Sequence, residues 1–434
     1  MVDVAEVWIW GEMVGAIRWD ETQQLGAFQY ASKFIDKGWD ISPIKMPISQ
    51  ASRIFSFPEL RKGRNETEDT FKGLPGMLAD TLPDKYGSRL INTWLAQQGR
   101  PESSMNPVEK LCFIGNRGMG ALEFEPTQNH KGPAQFTLEL DSLVAVAKKM
   151  LNEREAFLTN LNDSEERAMM EIMKIGTSAG GARPKAVIAY NPTTREVRSG
   201  QGLVPKGFEH WLIKLDGVSG AQFGESLGWG RVEYAYYLMA KDCGINMNEC
   251  ELLEENGRAH FMTKRFDREG NTKHHIQTLC GIQHYDFNDM YGYSYEQLFQ
   301  TMRLLRLTYP EAEEMFRRMV FNVLSTNYDD HTKNFSFMMK KGERWALSPA
   351  YDLCFSYDPN SIWVSQQTLS VNGKRLGITE DDLLSIANSN SIKKGRSIIQ
   401  SINSVVSSWK QYAEKAGVRP DLKEHIQSHL NTIT

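Results

Sequence analysis

Asn327-Tyr328-Asp329-Asp330-His331-Thr332-Lys333-Asn334-Phe335-Ser336-Phe337 crowds acid, imidazole, cation and amide together and closes on an alternating apolar exit. Eighteen residues beyond Asn334 stands Asp352, within Leu347-Ser348-Pro349-Ala350-Tyr351-Asp352-Leu353, and it is expected on the next strand. Phosphoryl transfer from ATP needs a carboxylate to orient or deprotonate the acceptor hydroxyl. It also needs an amide oxygen and a second carboxylate to hold Mg²⁺ against the phosphates. Asp329, Asn334 and Asp352 supply that set, with His331 and Lys333 between the first two. The same residues also suit a turn in which Asp329 and Asp330 cap backbone groups and Asn334 satisfies another. Spacing to His331 and Asn334 selects Asp329 over Asp330 as the candidate base.

Working back along the chain, His210-Trp211-Leu212-Ile213-Lys214-Leu215 reads as a covered strand carrying one charge. A lysine in that setting is rare unless it faces an anion, although one at a strand edge can also snorkel to water. In kinases a strand lysine pairs with the nucleotide phosphates and with a glutamate on a neighbouring helix. Glu233, on an amphipathic helix expected over 231–243, is the first candidate partner and Glu225 the second.

A glycine-rich stretch precedes that strand: Gly176-Thr177-Ser178-Ala179-Gly180-Gly181-Ala182-Arg183-Pro184-Lys185. Its glycines let backbone N–H groups approach phosphate. The Gly-x-x-x-x-Gly-Lys-Ser/Thr pattern is absent and a strand follows, so it is not a Walker A loop. Ser178, beside Thr177, is a hydroxyl near the expected phosphates, and a phosphate added there would repel the nucleotide. Downstream, Asn256-Gly257 between two apolar runs predicts a type I′ hairpin. Its second strand ends at Thr263-Lys264-Arg265-Phe266, and in a bilobal kinase residues 264–266 would take the place of the hinge whose backbone meets adenine. These charges equally suit a solvated strand end.

The chain has 434 residues with 50 Lys+Arg against 54 Asp+Glu, a net charge of −4, so it is not as a whole a polyanion glove. The short basic cluster Lys393-Lys394-Gly395-Arg396 reads as a solvated face. Five cysteines without a Cys-x-x-Cys pair suit buried thiols in a reducing compartment. The N-terminus lacks a signal-peptide pattern and no apolar run of 18 occurs, so the expectation is a soluble, cytoplasmic protein without membrane contact. Val7-Trp8-Ile9-Trp10-Gly11 and Val14-Gly15-Ala16-Ile17 read as two strands around a turn, and Leu82-Pro83-Asp84 precedes a helix bearing Leu90, Ile91, Trp94 and Leu95. Helical spacing over residues 164–175, from Glu296 through Met319, and at Ile398, Ile402, Val405 and Trp409 predicts further helices. Pro126 to Pro133 is the expected internal boundary.

Together these motifs resemble the HipA family of bacterial serine/threonine kinase toxins from type II toxin–antitoxin systems. The resemblance rests on Leu82-Pro83-Asp84, Phe113-Ile114-Gly115, Ser178 through Lys185, Asp329 through Asn334 and Tyr351-Asp352-Leu353, and it covers nearly the whole chain. It implies an α/β (α+β) N-terminal lobe and an all-α C-terminal lobe, in a bilobal protein-kinase and phosphoinositide-kinase-like fold with an added N-terminal subdomain. The expected divisions are residues 1–130, 131–266 and 267–434.

It further implies Asp329 as catalytic base, assisted by His331 and Lys333, with Asn334 and Asp352 holding Mg²⁺. Lys214, paired with Glu233, and the loop residues Ser178, Ala179, Gly180, Gly181 and Lys185 would contact ATP, and the backbone from Lys264 to Phe266 would meet adenine. Ser178 would be autophosphorylated, silencing the enzyme. The implied partners are a small dimeric helix-turn-helix antitoxin, operator DNA reached mainly through it, and a protein substrate such as an aminoacyl-tRNA synthetase, with growth arrest and persistence as outcome. A kinase of small molecules or lipid headgroups, and a non-catalytic corepressor that retains nucleotide binding, are the alternatives.

Overall fold

The computed structural model describes residues 2–61, 70–83, 85–97, 99–126, 184–200, 202–217 and 227–433. The helix expected over 164–175, the loop residues Thr177 to Gly181, the alternative partner Glu225, and nearly all of the expected boundary at 126–133 lie outside them.

The N-terminal residues form an antiparallel sheet of order β3-β2-β1-β4, from β1 (Val4–Ile9), β2 (Glu12–Asp20), β3 (Leu25–Tyr30) and β4 (Leu122–Glu125). Alternation decides which face of β1 is covered: Ala5, Val7 and Ile9 are buried while Val4 and Glu6 face out. The β1–β2 turn uses Trp10 and Gly11, both at positive φ, the geometry of a two-residue hairpin. The helix Pro107–Ile114 packs on β1 and β2. It starts where the Asn106 side chain accepts the Glu109 N–H at 2.8 Å and stops at Gly115 with φ of 58°. The helix read after Leu82-Pro83 spans Lys85–Gln97 and buries Leu90, Ile91 and Leu95.

A second antiparallel sheet has the order β6-β5-β7-β9-β8: β5 (Lys185–Tyr190), β6 (Val197–Ser199), β7 (Glu209–Lys214), β8 (Cys250–Glu255) and β9 (Arg258–Lys264). Asn256 and Gly257 sit at φ of 47° and 77°, as the hairpin reading requires. The helix Trp229–Asp242 lies on β8 and β9 and buries Val232, Glu233, Tyr236 and Met239. Gly230 permits this contact, because a Cβ there would collide with the Ala259 carbonyl oxygen.

The remainder is largely helical but not all-α, which corrects the expectation for residues 267–434. Short strands β10 (Arg268–Glu269) and β11 (Thr272–Lys273) pair, and β12 (His275–Thr278), β13 (Ser336–Met339) and β14 (Trp345–Leu347) form a third sheet. The apolar exit from the acidic loop becomes β13 because Ser336, Phe337 and Met339 are buried there between two partners. The helical run from Glu296 also divides, into Tyr295–Leu304 and Tyr309–Leu324. A capping box between Thr308 and Glu311, with Pro310 in the first turn and Arg306 at φ of 56°, restarts the helix. Helices Gly395–Ser407 and Trp409–Lys415 carry the expected stripe, with Ile398, Ile402 and Trp409 in the core.

Trp10, Asp40 and Ile41 of the N-terminal part meet β11, β14 and β12. Trp10 Nε1–H donates to the Lys273 carbonyl at 2.8 Å, Trp345 Nε1–H to the Asp40 carbonyl at 2.9 Å, and His275 Nε2 meets the Ile41 carbonyl at 2.9 Å. Among the described residues no helix is long and apolar enough to cross a membrane.

Candidate active site

β7 ends at Lys214, whose ammonium bonds both the Glu233 carboxylate and Asp352 Oδ1, the latter at 2.5 Å. The charge that interrupted an apolar strand is therefore paired with the first-choice glutamate. Glu233 presents a side chain only 2% exposed, from the covered face of the helix Trp229–Asp242. In the antiparallel register Lys185 lies directly opposite Lys214, so the two lysines share one face of the sheet.

These charges set the protonation of the site. Burial pushes the Asp352 carboxyl up, but Lys214 and Lys185 outweigh it and hold it well below the usual carboxylate range. Burial pulls Lys214 down, and Asp352 with Glu233 more than reverses this, so the ammonium is retained. Asp352 does not lie on a strand as expected. It follows β14 in irregular backbone at φ of 57°, a left-handed conformation that costs a non-glycine residue free energy. The contact with Lys214 and the bond from its neighbour Tyr351 fix the chain there.

The acidic loop hangs between the helix Tyr309–Leu324 and β13. Asp329 is 44% exposed on its side chain, with Oδ1 3.6 Å from His331 Nε2. The other ring nitrogen, Nδ1, accepts the Lys333 N–H at 3.3 Å, which assigns the neutral-ring proton to the nitrogen facing Asp329. Asn334 donates its amide to the Asp329 carbonyl at 2.6 Å and keeps its side-chain oxygen for another partner. Lys333 lies 4.6 Å from the Phe287 ring centroid, while its carbonyl accepts the Tyr351 hydroxyl at 2.7 Å. Tyr351 in turn stacks on Phe266, centroids 5.6 Å apart. One residue thus ties the hinge candidate, the loop and Asp352 together.

Asp330 behaves differently from its neighbour. It is 1% exposed and accepts from the Tyr295 hydroxyl at 2.8 Å, Gln367 Nε2 at 3.0 Å, and the N–H groups of Thr368 at 2.7 Å and Leu369 at 3.3 Å. Burial pushes its pKa up to about 7 against those bonds. Its geometry anchors residues 367–369 to the loop and leaves Asp329 as the accessible carboxylate.

At the hinge candidate, Lys264 has both backbone groups engaged: its N–H donates to the Glu249 carbonyl at 2.8 Å, and its carbonyl accepts Asn248 Nδ2 at 3.1 Å. Its ammonium pairs with Glu209 at 2.6 Å. The Arg265 N–H reaches the His210 carbonyl at 2.9 Å. Phe266 is the member that turns toward the site. The structure therefore brings together Lys214, Lys185, Glu233, Phe266, Asp329, His331, Lys333, Asn334 and Asp352, whereas Ser178, Ala179, Gly180 and Gly181 lie outside the described residues. Tyr351, Tyr295 and Gln367 were missed as supporting residues, and only Tyr351 had a signal, by adjacency to Asp352.

A strand lysine bonded to a helix glutamate, beside a loop aspartate and asparagine and a further aspartate, is the constellation of the protein-kinase class of phosphotransfer sites. The chain belongs to the HipA family: residues 177–428 match the HipA-like C-terminal domain and residues 5–125 the HipA N-terminal domain. It is 24% identical over 435 residues to the serine/threonine-protein kinase toxin HipA of Shewanella oneidensis, covering 91% of this chain and 87% of that one. The structure of HipA from Shewanella oneidensis MR-1 with HipB and operator DNA aligns with a TM-score of 0.64 at 17% identity, covering 98% of this chain and 96% of that one, and shares its fold. Two proteins bearing provisional kinase names are also similar: one from Sinorhizobium fredii, 26% identical over 155 residues, and one from Haemophilus influenzae, 29% over 136. Those matches take in 33% and 28% of this chain, and only 36% and 39% of the relatives' own lengths.

Proposed function

We propose that this chain is an ATP- and Mg²⁺-dependent serine/threonine protein kinase, and the toxin of a toxin–antitoxin pair. The observation that carries the reading is the convergence of Lys214, Glu233 and Asp352 at one point beside the loop Asp329–Asn334. In this reading the second sheet and its helix form one lobe, the helical remainder forms the other, and the nucleotide lies between them. The N-terminal sheet is an added subdomain, with divisions near residues 130 and 266.

Asp352 and Asn334 offer a carboxylate oxygen and an amide oxygen, hard donors that fit Mg²⁺. Bound there, the ion would neutralise charge on the transferring phosphoryl group. Lys214 and Lys185 hold the phosphate oxygens and Glu233 fixes the lysine's direction. Asp329, the accessible carboxylate, takes the proton of the acceptor hydroxyl, and His331 turns its Nε2 toward that carboxylate. Lys333 adds positive charge on the same side. The nucleotide base rests against Phe266, whose ring Tyr351 backs. Ser178 is the proposed autophosphorylation site and its modification the off switch.

The partners follow from the family: a small helix-turn-helix antitoxin, operator DNA reached through it, and a cytoplasmic protein substrate such as an aminoacyl-tRNA synthetase. Expressing the gene alone tests this reading. Growth arrest that a co-expressed helix-turn-helix partner reverses, and that Asp329→Ala abolishes, is the expected result. Arrest that persists in Asp329→Ala contradicts it, and free growth with active wild-type enzyme favours a small-molecule kinase.

A further inference from the structure

The sequence stretch around Leu82-Pro83 belongs to the N-terminal subdomain, and nothing above gives it a part in chemistry. Two residues earlier, Asp80 reaches out of that subdomain. Its Oδ2 accepts the Thr278 N–H at 2.7 Å and its Oδ1 the Thr278 hydroxyl at 2.8 Å, so both oxygens are committed to one residue. Thr278 is itself the N-cap of the helix Leu279–Gln283, its hydroxyl accepting the Gly281 N–H at 3.1 Å. The carboxylate lies flat on Gly281, where a Cβ would collide with it, and Gly76 makes a second close approach to the Gly281 carbonyl oxygen.

What this helix holds is the proposed catalytic loop. The Leu279 N–H donates to the carbonyl of Phe335, the residue after Asn334, at 2.7 Å. Thr278 pairs with Ser336 in the β12–β13 ladder. At the helix's other end, the Thr332 hydroxyl donates to the Tyr285 carbonyl at 2.9 Å, and the Tyr285 N–H returns to the Cys280 carbonyl at 3.0 Å. Residues 332–336 are therefore clamped at both ends by 278–285. Burial pushes the Asp80 carboxyl up, and the charge of Lys333 offsets only part of that shift.

We propose that Asp80 is a positioning residue for phosphoryl transfer: through Thr278 it fixes Lys333 and Asn334 relative to Asp329, and makes the N-terminal subdomain part of the catalytic apparatus. This rests on the kinase reading. A carboxylate used only for docking would stabilise the interface without favouring one step of turnover. A carboxylate that sets the loop acts on the transfer step, because small misplacements of reacting groups are costly there.

The test uses the full-length protein and compares wild type with Asp80→Asn, Thr278→Val and the double variant. Single-turnover self-labelling from γ-labelled ATP gives the transfer rate, and a fluorescent ATP analogue gives nucleotide affinity. Asp80→Asn keeps the side-chain shape but loses one acceptor and the charge. The expected result is a transfer rate lower by about tenfold with nucleotide affinity within about twofold of wild type. The losses in Asp80→Asn and Thr278→Val should be non-additive in the double variant. Folded Asp80→Asn transferring at the wild-type rate overturns the proposal, as do additive losses or an equal fall in affinity and rate. If Asp80→Asn does not fold, Thr278→Val alone decides by the same rate-against-affinity split. Absence of labelling in the wild type, or full labelling in Asp329→Ala, instead overturns the kinase reading and is read separately.

Discussion

Replacing Lys214 by methionine separates what the ammonium does for the fold from what it does for chemistry. The substitution keeps length and packing but takes the ammonium away from Glu233, whose side chain is 2% exposed. Removing one partner of a buried pair costs about 3–5 kcal/mol, because the remaining charge is left uncompensated. The contact with Asp352 adds less to that loss than the pairing with Glu233, since the Asp352 side chain is 36% exposed and water partly screens it. Lys214→Met should therefore destabilise by about 3 kcal/mol. Adding Glu233→Met removes the buried carboxylate as well, and a well-packed apolar pair is close to neutral relative to the ion pair. The double variant should return to within about 1 kcal/mol of wild type, while phosphotransfer stays at least about 100-fold down in both. Urea unfolding followed by tryptophan fluorescence gives the first quantity and γ-labelled ATP the second. Equal destabilisation of single and double variants refutes the energetic reasoning, and transfer that recovers with stability refutes the assignment of Lys214 to the nucleotide.

Neighbouring aspartates should part company: Asp329→Asn abolishes transfer, whereas Asp330→Asn, which keeps an acceptor for the Thr368 and Leu369 N–H groups, retains most of it in the same assay. Asp330 also carries a pH signature, because its pKa of about 7 in the folded chain exceeds its unfolded value near 3.9. Folding takes up a proton in that window, so its contribution falls as pH rises from about 4 to 7, and Asp330→Asn should flatten that slope in calorimetry. Asp352 has the opposite sign: its depressed folded pKa contributes stability above about pH 4 that is lost on further acidification, so Asp352→Asn should be less sensitive to acid unfolding. Gly230→Ala drives a methyl into the Ala259 carbonyl and should cost about 2 kcal/mol in urea unfolding.

The parts legible in the sequence were those decided by neighbours along the chain. The 250–264 hairpin followed from Asn256-Gly257, and the Lys214–Glu233 pair from a lone charge in an apolar strand and a glutamate on the next helix. The third sheet was not legible, since His275-Ile276-Gln277-Thr278 is short, mixed in polarity and completed by strands some 60 residues on. Spacing to His331 and Asn334 separated Asp329 from Asp330, but the anchoring role of Asp330 was not legible because its partners come from residues 295 and 367–369. Asp352 was expected on a strand; its left-handed backbone is imposed by contacts with Lys214 and by the Tyr351 bond to Lys333, none of them local. Asp80 carried no signal for the same reason.

The most direct test of the account is incubation of the purified full-length protein with γ-labelled ATP and Mg²⁺, followed by mapping of the labelled residue. The account predicts label on Ser178, lost in Asp329→Ala and Asp352→Ala and on chelation of Mg²⁺. Equal labelling in wild type and both variants, or ATP binding with no transfer to itself or to any lysate protein, would contradict it.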